Sequence, residues 1–436
     1  MTSSEANKVA EAEKYLFSLR NRGSKYGIDR MAALVRVLDH PESDFPVIHV
    51  AGTNGKGSFC AMLEAVMRRS GLKVGMLTSP HLVRLGERIQ INRVETSDQQ
   101  IVRLVEELKP VTEQLAARDP EDHPSFFELI TAMGFLIFSR EKVDVAVVET
   151  GLGGRLDATN VVHPILSVIT SVGLDHFEQL GSDLTSIAKE KAGIVKQDVP
   201  VILGRMPEAA KEMIQQVAEE RQAEVFESES RFPRAPLDLP VTSLDGTFQR
   251  WNAATTVLAA QVLGEKFGLD ETLAREALLE VEWAGRWQRM QIGGRHLILD
   301  TTHNEEGARA LDENLANLIG ESAIKPWVVV GVLGEERAIP LMKTVAKWAR
   351  GIALLMPGQP RACSFEILEK ALPSNFSGLV ERKRLEELLP GDGQVTVGEP
   401  EDIVLVTGSI YLVGEVLARI KGEASSRGLN ALQDWV

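Results

Sequence analysis

The chain has 436 residues, 44% of them hydrophobic and 25% charged, ordinary values for a water-soluble globular protein of two or three domains. A formal net charge of −14 argues against a general nucleic-acid or anionic-membrane binder, whose footprint would be basic. Two distant cysteines, Cys60 and Cys363, suggest no disulfide framework. Met1 leads into polar residues, and no apolar run approaches ~20 residues, so a cytoplasmic protein is expected.

Glu5 to Asp39 reads as helical segments around a break at Asn21–Gly27. Then Val47-Ile48-His49-Val50-Ala51 reads as a strand. It runs into Gly52-Thr53-Asn54-Gly55-Lys56-Gly57-Ser58 and a helix-like stretch to Arg69. Strand, glycine loop and helix form a phosphate-binding layout: loop N–H groups point inward, the helix start adds positive potential, and a Lys reaches the outer phosphates. The Ser hydroxyl suits the Mg²⁺ that accompanies ATP. Here the first Gly is closer to the Lys than in a Walker A loop, and Gly57 separates Lys56 from Ser58. A plain tight turn is the competing reading.

Lys73–Thr78 reads as a second strand, ending in Ser79-Pro80-His81. Ser97 is placed to cap a helix toward Ala117, with Pro110 expected to kink or break it. Ser125 and Glu128 form a capping-box pattern ahead of apolar Leu129–Phe138. Apolar strands are expected at Val143–Val148, Ile165–Thr170 and Val199–Leu203. Such strands alternating with helices predict an α/β fold with a parallel sheet covered on both faces, whose ligands gather at the strands' carboxyl ends. Ser79, Glu149 and the glycine loop all fall there. Phe226–Arg250 reads as irregular, and Asn252–Lys266 and Glu271–Val281 as helices. After Gly293-Gly294 a fresh alternation of strands and helices begins, so a second α/β domain is expected from about that point.

Four further groups carry polar chemistry. Glu149 precedes Thr150-Gly151-Leu152-Gly153-Gly154-Arg155-Leu156-Asp157-Ala158-Thr159-Asn160, whose glycines allow close backbone approach to a ligand. Asp175-His176 follows a strand end, where His176 is either structural or an unusual Mg²⁺ ligand. Lys189-Glu190-Lys191-Ala192-Gly193 reads by itself as a solvated helix face. Asp300-Thr301-Thr302-His303-Asn304 offers either a site across a cleft or a helix N-cap at Asn304. There is no zinc-type Cys/His spacing and no Gly-x-Ser-x-Gly elbow.

Taken in order, these segments resemble the folylpolyglutamate synthase/dihydrofolate synthase family of the Mur ligase superfamily. The resemblance spans nearly the whole chain. It adds Thr78-Ser79-Pro80-His81-Leu82, Ile187–Ile194, Gly285-Arg286 and Val406-Thr407-Gly408-Ser409-Ile410-Tyr411 to the motifs above. It implies a P-loop, parallel-sheet ATPase-like N-terminal domain over 1–293. A smaller Rossmann-like α/β C-terminal domain, the glutamate-ligase domain, would follow over 294–436. The implied activity is an ATP-dependent ligase that activates a pterin carboxylate as an acyl phosphate and lets the glutamate amine displace phosphate.

By family position, Gly52, Thr53, Asn54, Gly55, Lys56, Gly57 and Ser58 hold the phosphates, Asn252 lies on the adenine side, and Arg286 and Asp300 complete ATP binding. Ser58, Ser79, Glu149 and His176 resemble the Mg²⁺ set. Lys191 matches a lysine that can be carbamylated to hold a second cation, monovalent or divalent. Arg84, Arg155, Asp157, Thr159, His303 and Ser409 are the implied substrate contacts, and Lys56, Lys191, Asp300 and His303 the catalytic group. The implied partners are L-glutamate, dihydropteroate and reduced folates, acting on a monomer without nucleic acid or membrane. Three departures stand out. The family's Asp-Gly-Ala-His-Asn is Asp300–Asn304 here, its Arg-Phe-Asn-Glu-Arg is Arg84-Leu85-Gly86-Glu87-Arg88 near the expected pterin side, and its Trp-Pro-Gly-Arg is Trp283-Ala284-Gly285-Arg286. Three other readings compete: polyglutamylation of reduced folates alone, a Mur-type ligase with a cell-wall nucleotide acceptor, and an ATP-dependent binding module without catalysis.

Overall fold

The structure is a computed structural model and describes residues 3–19, 27–391 and 393–423. The described residues fall into two compact units: those up to Thr242 together with Arg250–Val281, and Ser243–Gln249 together with those from Glu282 onward. Except for Gly27, the expected break at Asn21–Gly27 lies outside the described residues.

The first unit is built on eight strands: β1 (Val47–Ala51), β2 (Val74–Leu77), β3 (Ile89–Ile91), β4 (Val94–Glu95), β5 (Val145–Glu149), β6 (Leu166–Ile169), β7 (Val201–Leu203) and β8 (Val225–Glu227). They are ordered β4-β3-β2-β5-β1-β6-β7-β8. From β2 to β8 all neighbours are parallel, and only β3 and β4 add antiparallel strands at one edge. The central strands are buried on both faces, which explains their unbroken apolar sequences. Register aligns the strand ends: Val50 faces Glu149, and Ala51 faces Ile169. The loop after β1 therefore emerges between the loops after β5 and β6.

One face of the sheet is covered by the helix Phe126–Glu141, nearly all of it buried, with Phe45 edge-on to Phe138 at 5.8 Å. The helices Leu184–Ala192 and Glu208–Glu220 cover β6 and β7 with a second apolar cluster. Both expected caps form: Ser97 accepts the Gln100 N–H, and Ser125 accepts the Glu128 N–H. Pro110 does not break its helix, which runs unbroken from Asp98 to Arg118. It lies on the exposed side, where the carbonyl that loses its N–H partner can turn to water. The irregular stretch from Phe226 also contains the end of β8, a turn of helix at Ser228–Arg231, and the start of the helix Thr247–Val262.

The second unit holds β9 (Gln288–Ile292), β10 (Arg295–Leu299), β11 (Trp327–Val330), β12 (Gly351–Leu355), β13 (Leu379–Lys383) and β14 (Val404–Thr407), ordered β13-β12-β11-β14-β10-β9. All neighbours are parallel except β9 with β10. Gly293-Gly294, expected near the domain boundary, is instead the turn of the β9–β10 hairpin, and the division between units falls between Val281 and Glu282. The alternating polar residues of β9 hid it from the apolar pattern. No helix among the described residues is long and apolar enough to cross a membrane.

Candidate active site

The loop after β1 is fixed by its neighbours. Thr53 N–H donates to Ser171 O at 3.0 Å, Asn54 N–H to Ser171 Oγ at 3.0 Å, and Thr170 Oγ1 to Asn54 O at 2.7 Å. Thr53 Oγ1 both donates to Gly173 O at 3.2 Å and accepts the Gly173 N–H at 3.0 Å. Thr170, Ser171 and Gly173 were not singled out from sequence. The signal was a pair of small hydroxyl residues ending the strand beside β1.

Gly55 has φ 84°, and a Cβ there would stand 2.5 Å from Asn252 Oδ1. The loop and the expected adenine-side residue are thus in direct contact. The helix Lys56–Arg69 starts there without a side-chain cap, so no side chain occupies its first N–H groups as a cap. Lys56 Nζ donates to Gly52 O at 2.9 Å and lies 4.0 Å from Glu149 Oε1. Ser79 N–H donates to Glu149 Oε2 at 3.1 Å. Lys56, Ser79 and Glu149 therefore converge as expected, with Ser58 buried in the first helical turn. His176 follows β6 in a left-handed conformation (φ 52°), its N–H on its own neighbour Asp175. Among the described residues no three His, Cys, Asp or Glu side chains gather as a metal cluster. The expected set draws instead on two hydroxyls and one carboxylate, hard oxygens of the kind Mg²⁺ prefers, together with the imidazole of His176, a donor Mg²⁺ seldom takes.

The segment after Glu149 divides into two roles. Asp157 and Thr159, expected to touch substrate, are turned inward: Asp157 accepts the N–H groups of Leu152 and Thr159, at 2.8 and 2.9 Å, and the Thr159 hydroxyl. Burial raises the Asp157 carboxyl above its usual range, while those hydrogen bonds pull it back. Thr159 is fully buried, its hydroxyl 2.7 Å from Nε2 of His49 on β1. Burial, with Lys196 nearby, lowers His49 to about 3 and keeps that imidazole neutral. A polar residue in a glycine loop satisfies the loop's own backbone as readily as a ligand, and here it does so. Arg155 by contrast is half-exposed and paired to Glu190 at 2.9 Å. Lys191, next along that helix, is buried.

At the edge, Arg84 is partly exposed and 3.8 Å from Glu95. The two departures beside it have internal packing roles: Leu85 is buried in the core, and Gly86 sits against the Thr96 carbonyl where no side chain fits. Buried Arg88 donates to His81 Nδ1 at 2.8 Å.

In the second unit, Asp300 at the end of β10 accepts the N–H groups of Trp287 and Thr302, both at 3.0 Å. Arg286 hydrogen-bonds Thr301 Oγ1, and His303 Nδ1 lies 2.9 Å from Thr301 O. Arg286, Asp300 and His303 therefore share one turn. Asn304 caps the helix Glu305–Ser322, and Ser409 caps the helix Ile410–Ile420 by accepting the Leu412 N–H.

A parallel sheet with an open glycine loop, a Lys beside a carboxylate, and a second α/β unit define a nucleotide-dependent ligase of the Mur type. The Mur ligase middle domain family matches residues 50–233. The dihydrofolate synthase/folylpolyglutamate synthase of Bacillus subtilis is 34% identical over 94% of this chain and 99% of its own length. The folylpolyglutamate synthase of Lacticaseibacillus casei is 31% identical over 91% of this chain and 95% of its own. Among solved structures, the ADP complex of the Mycobacterium tuberculosis folylpolyglutamate synthase superposes with a TM-score of 0.83 at 29% identity, covering 96% of this chain and 98% of that one. The chain belongs to the folylpolyglutamate synthase/dihydrofolate synthase family and is an ATP-dependent ligase.

Proposed function

We propose that the chain joins L-glutamate to dihydropteroate and also extends reduced folates with further glutamate. The observation that carries this reading is the Lys56 ammonium, 2.9 Å from Gly52 O and 4.0 Å from Glu149 at the start of an uncapped helix. A carboxylate is a poor electrophile until one oxygen becomes a good leaving group. An acceptor carboxylate oxygen forms a bond to the γ-phosphorus of ATP as the bond to ADP breaks, with Lys56 and the loop N–H groups meeting the charge on the transferring phosphoryl. The glutamate amine then attacks the acyl carbon, loses a proton, and phosphate leaves.

The donor chemistry of Ser58, Ser79 and Glu149 fits Mg²⁺, which would offset phosphate charge, with His176 a less typical fourth donor. Lys191, as a carbamate, would present oxygens to a second cation. Gly52–Ser58 and Asn252 bind ATP, and by family position Arg286 and Asp300 are ATP contacts as well. Arg84 and Arg155 serve the acceptor, and His303 and Ser409 serve glutamate. In this division of labour the first unit is the ATP-binding domain and the second the glutamate-ligase domain. The protein acts as a cytoplasmic monomer on small molecules.

The test is ADP release by purified protein with MgATP and glutamate, adding dihydropteroate or tetrahydrofolate separately. Release with both acceptors, each requiring glutamate, is expected. Release with tetrahydrofolate alone would restrict the protein to polyglutamylation. Release with neither would point to another Mur-type acceptor, or to a module that binds ATP without turnover.

A further inference from the structure

Three connections tie the glycine loop after β5 to the end of the helix Leu184–Ala192. Arg155 N–H donates to Glu190 O at 2.8 Å. Asn160 Nδ2 donates to Arg155 O at 3.0 Å and to Gly193 O at 3.1 Å. Gly154 lies so close that a Cβ would stand 2.9 Å from Lys191 O and 3.0 Å from Glu190 O. The backbone of Arg155 is therefore placed without help from its own side chain.

A fourth connection is made by side chains alone: Arg155 Nε and Nη2 both donate to Glu190 Oε1, at 3.1 and 2.9 Å. The Arg155 side chain is 51% exposed, and ion pairs that wet contribute little to stability. What the pair does is hold a long, flexible side chain in one orientation. The guanidinium lies on Glu190 through its Nε edge, and Nη1 makes neither of these bonds. That outer edge is the one that can meet a second carboxylate with two parallel N–H bonds.

We propose that Glu190 is a positioning residue that presets Arg155 to receive a carboxylate of the acceptor substrate. The phosphates of ATP have Lys56 and the loop after β1, and glutamate is assigned above to His303 and Ser409, so the anion left for Arg155 is the acceptor's. Glu190 is followed directly by Lys191, so the same helical turn orients the acceptor and carries the candidate carbamate. This inference rests on the ligase reading above.

The experiment is steady-state kinetics of Glu190→Ala, Glu190→Gln, Arg155→Ala and the Glu190→Ala/Arg155→Ala double variant, with melting midpoints for each. Glu190→Ala should raise the acceptor KM about 10-fold, the loss of an oriented charged contact, while the ATP KM stays within about twofold. Glu190→Gln, which keeps an acceptor oxygen, should fall between Glu190→Ala and wild type. The double variant should be no worse than Arg155→Ala, since the two residues act as one unit. Melting midpoints should change little. An unchanged acceptor KM in Glu190→Ala, additive losses in the double variant, or equal rises in the KM for ATP and acceptor would each overturn the proposal. Wild-type protein that releases no ADP with any pterin acceptor would overturn the ligase reading first, and this inference with it.

Discussion

The two sheets share a plan, and their carboxyl edges are used in opposite ways. At the first edge the helix after β1 starts uncapped, and Lys56 and Glu149 stand close together. Neighbouring residues, Thr170 and Ser171, hold the loop instead. At the second edge the polar side chains fix their own backbone. Asp300 takes two N–H groups, and Asn304 and Ser409 each cap a helix. The lesson is that a polar residue at a strand end is free for a ligand only when other groups satisfy the local backbone. Damage to the first edge should appear as lost rate or ATP affinity, and damage to the second as lost stability alongside any loss of substrate affinity.

The largest expected effect is at Lys56. Lys56→Ala should lower the rate of ADP formation at saturating ATP by about 10³-fold, roughly 4 kcal/mol, since it removes charge stabilisation from the transferring phosphoryl. A single-turnover assay checks this. A rate within tenfold of wild type would end the phosphate-loop assignment.

Buried carboxylates sharpen the contrast. Glu149 has Lys56 4.0 Å away, whereas Glu415, in the second unit, receives the Gly358 N–H at 2.8 Å. Burial, reinforced by the charge of Glu386, raises Glu415 from 4.5 to about 7. At pH below the unfolded value both states hold the proton. As pH rises toward 7 the unfolded chain releases its proton while folded Glu415 keeps it, so stability falls, by about 3 kcal/mol across that window. Glu415→Gln keeps an oxygen for Gly358 and should remove this slope. Denaturant midpoints at pH 5 and pH 8 test it, and equal slopes in the two proteins would show that Glu415 ionises normally.

Gly55→Ala probes the first edge more gently. A left-handed φ costs a side chain about 1–2 kcal/mol, and the new Cβ must displace Asn252. ATP binding should weaken about 10-fold by this amount, as read by calorimetry. Unchanged affinity would mean that neither the loop conformation nor Asn252 bears on the nucleotide.

Much of this contrast was legible in the sequence, because some signals are local. The β1 loop, the caps at Ser97 and Ser125, and the apolar strands of the sheet centres each depend on a few adjacent residues. What stayed hidden depends on contacts distant in sequence. Thr159 looks like a ligand contact until β1 brings His49 to its hydroxyl, and Leu85-Gly86 looks like pocket lining until it packs on the core and on Thr96. β9 and β13 lack a continuous apolar run because they are edge strands, so their sequences are half polar.

The smallest expected effect separates the two uses of a polar residue within one side chain. Ser409 caps a helix, and it is also the residue proposed to meet glutamate. Ser409→Ala should cost about 1 kcal/mol of stability and Ser409→Gly only a few tenths, because glycine tolerates the N-cap conformation. Capping alone therefore predicts that Ala is worse than Gly in melting midpoint, with the glutamate KM following that order or not moving. A contact from the hydroxyl to glutamate predicts equal rises in glutamate KM for both variants, since both lack the oxygen, whatever their difference in stability. Equal KM rises with unequal midpoints would give Ser409 both roles. An unmoved glutamate KM would leave it a cap only, and the second edge would then bind glutamate through His303 rather than through Ser409.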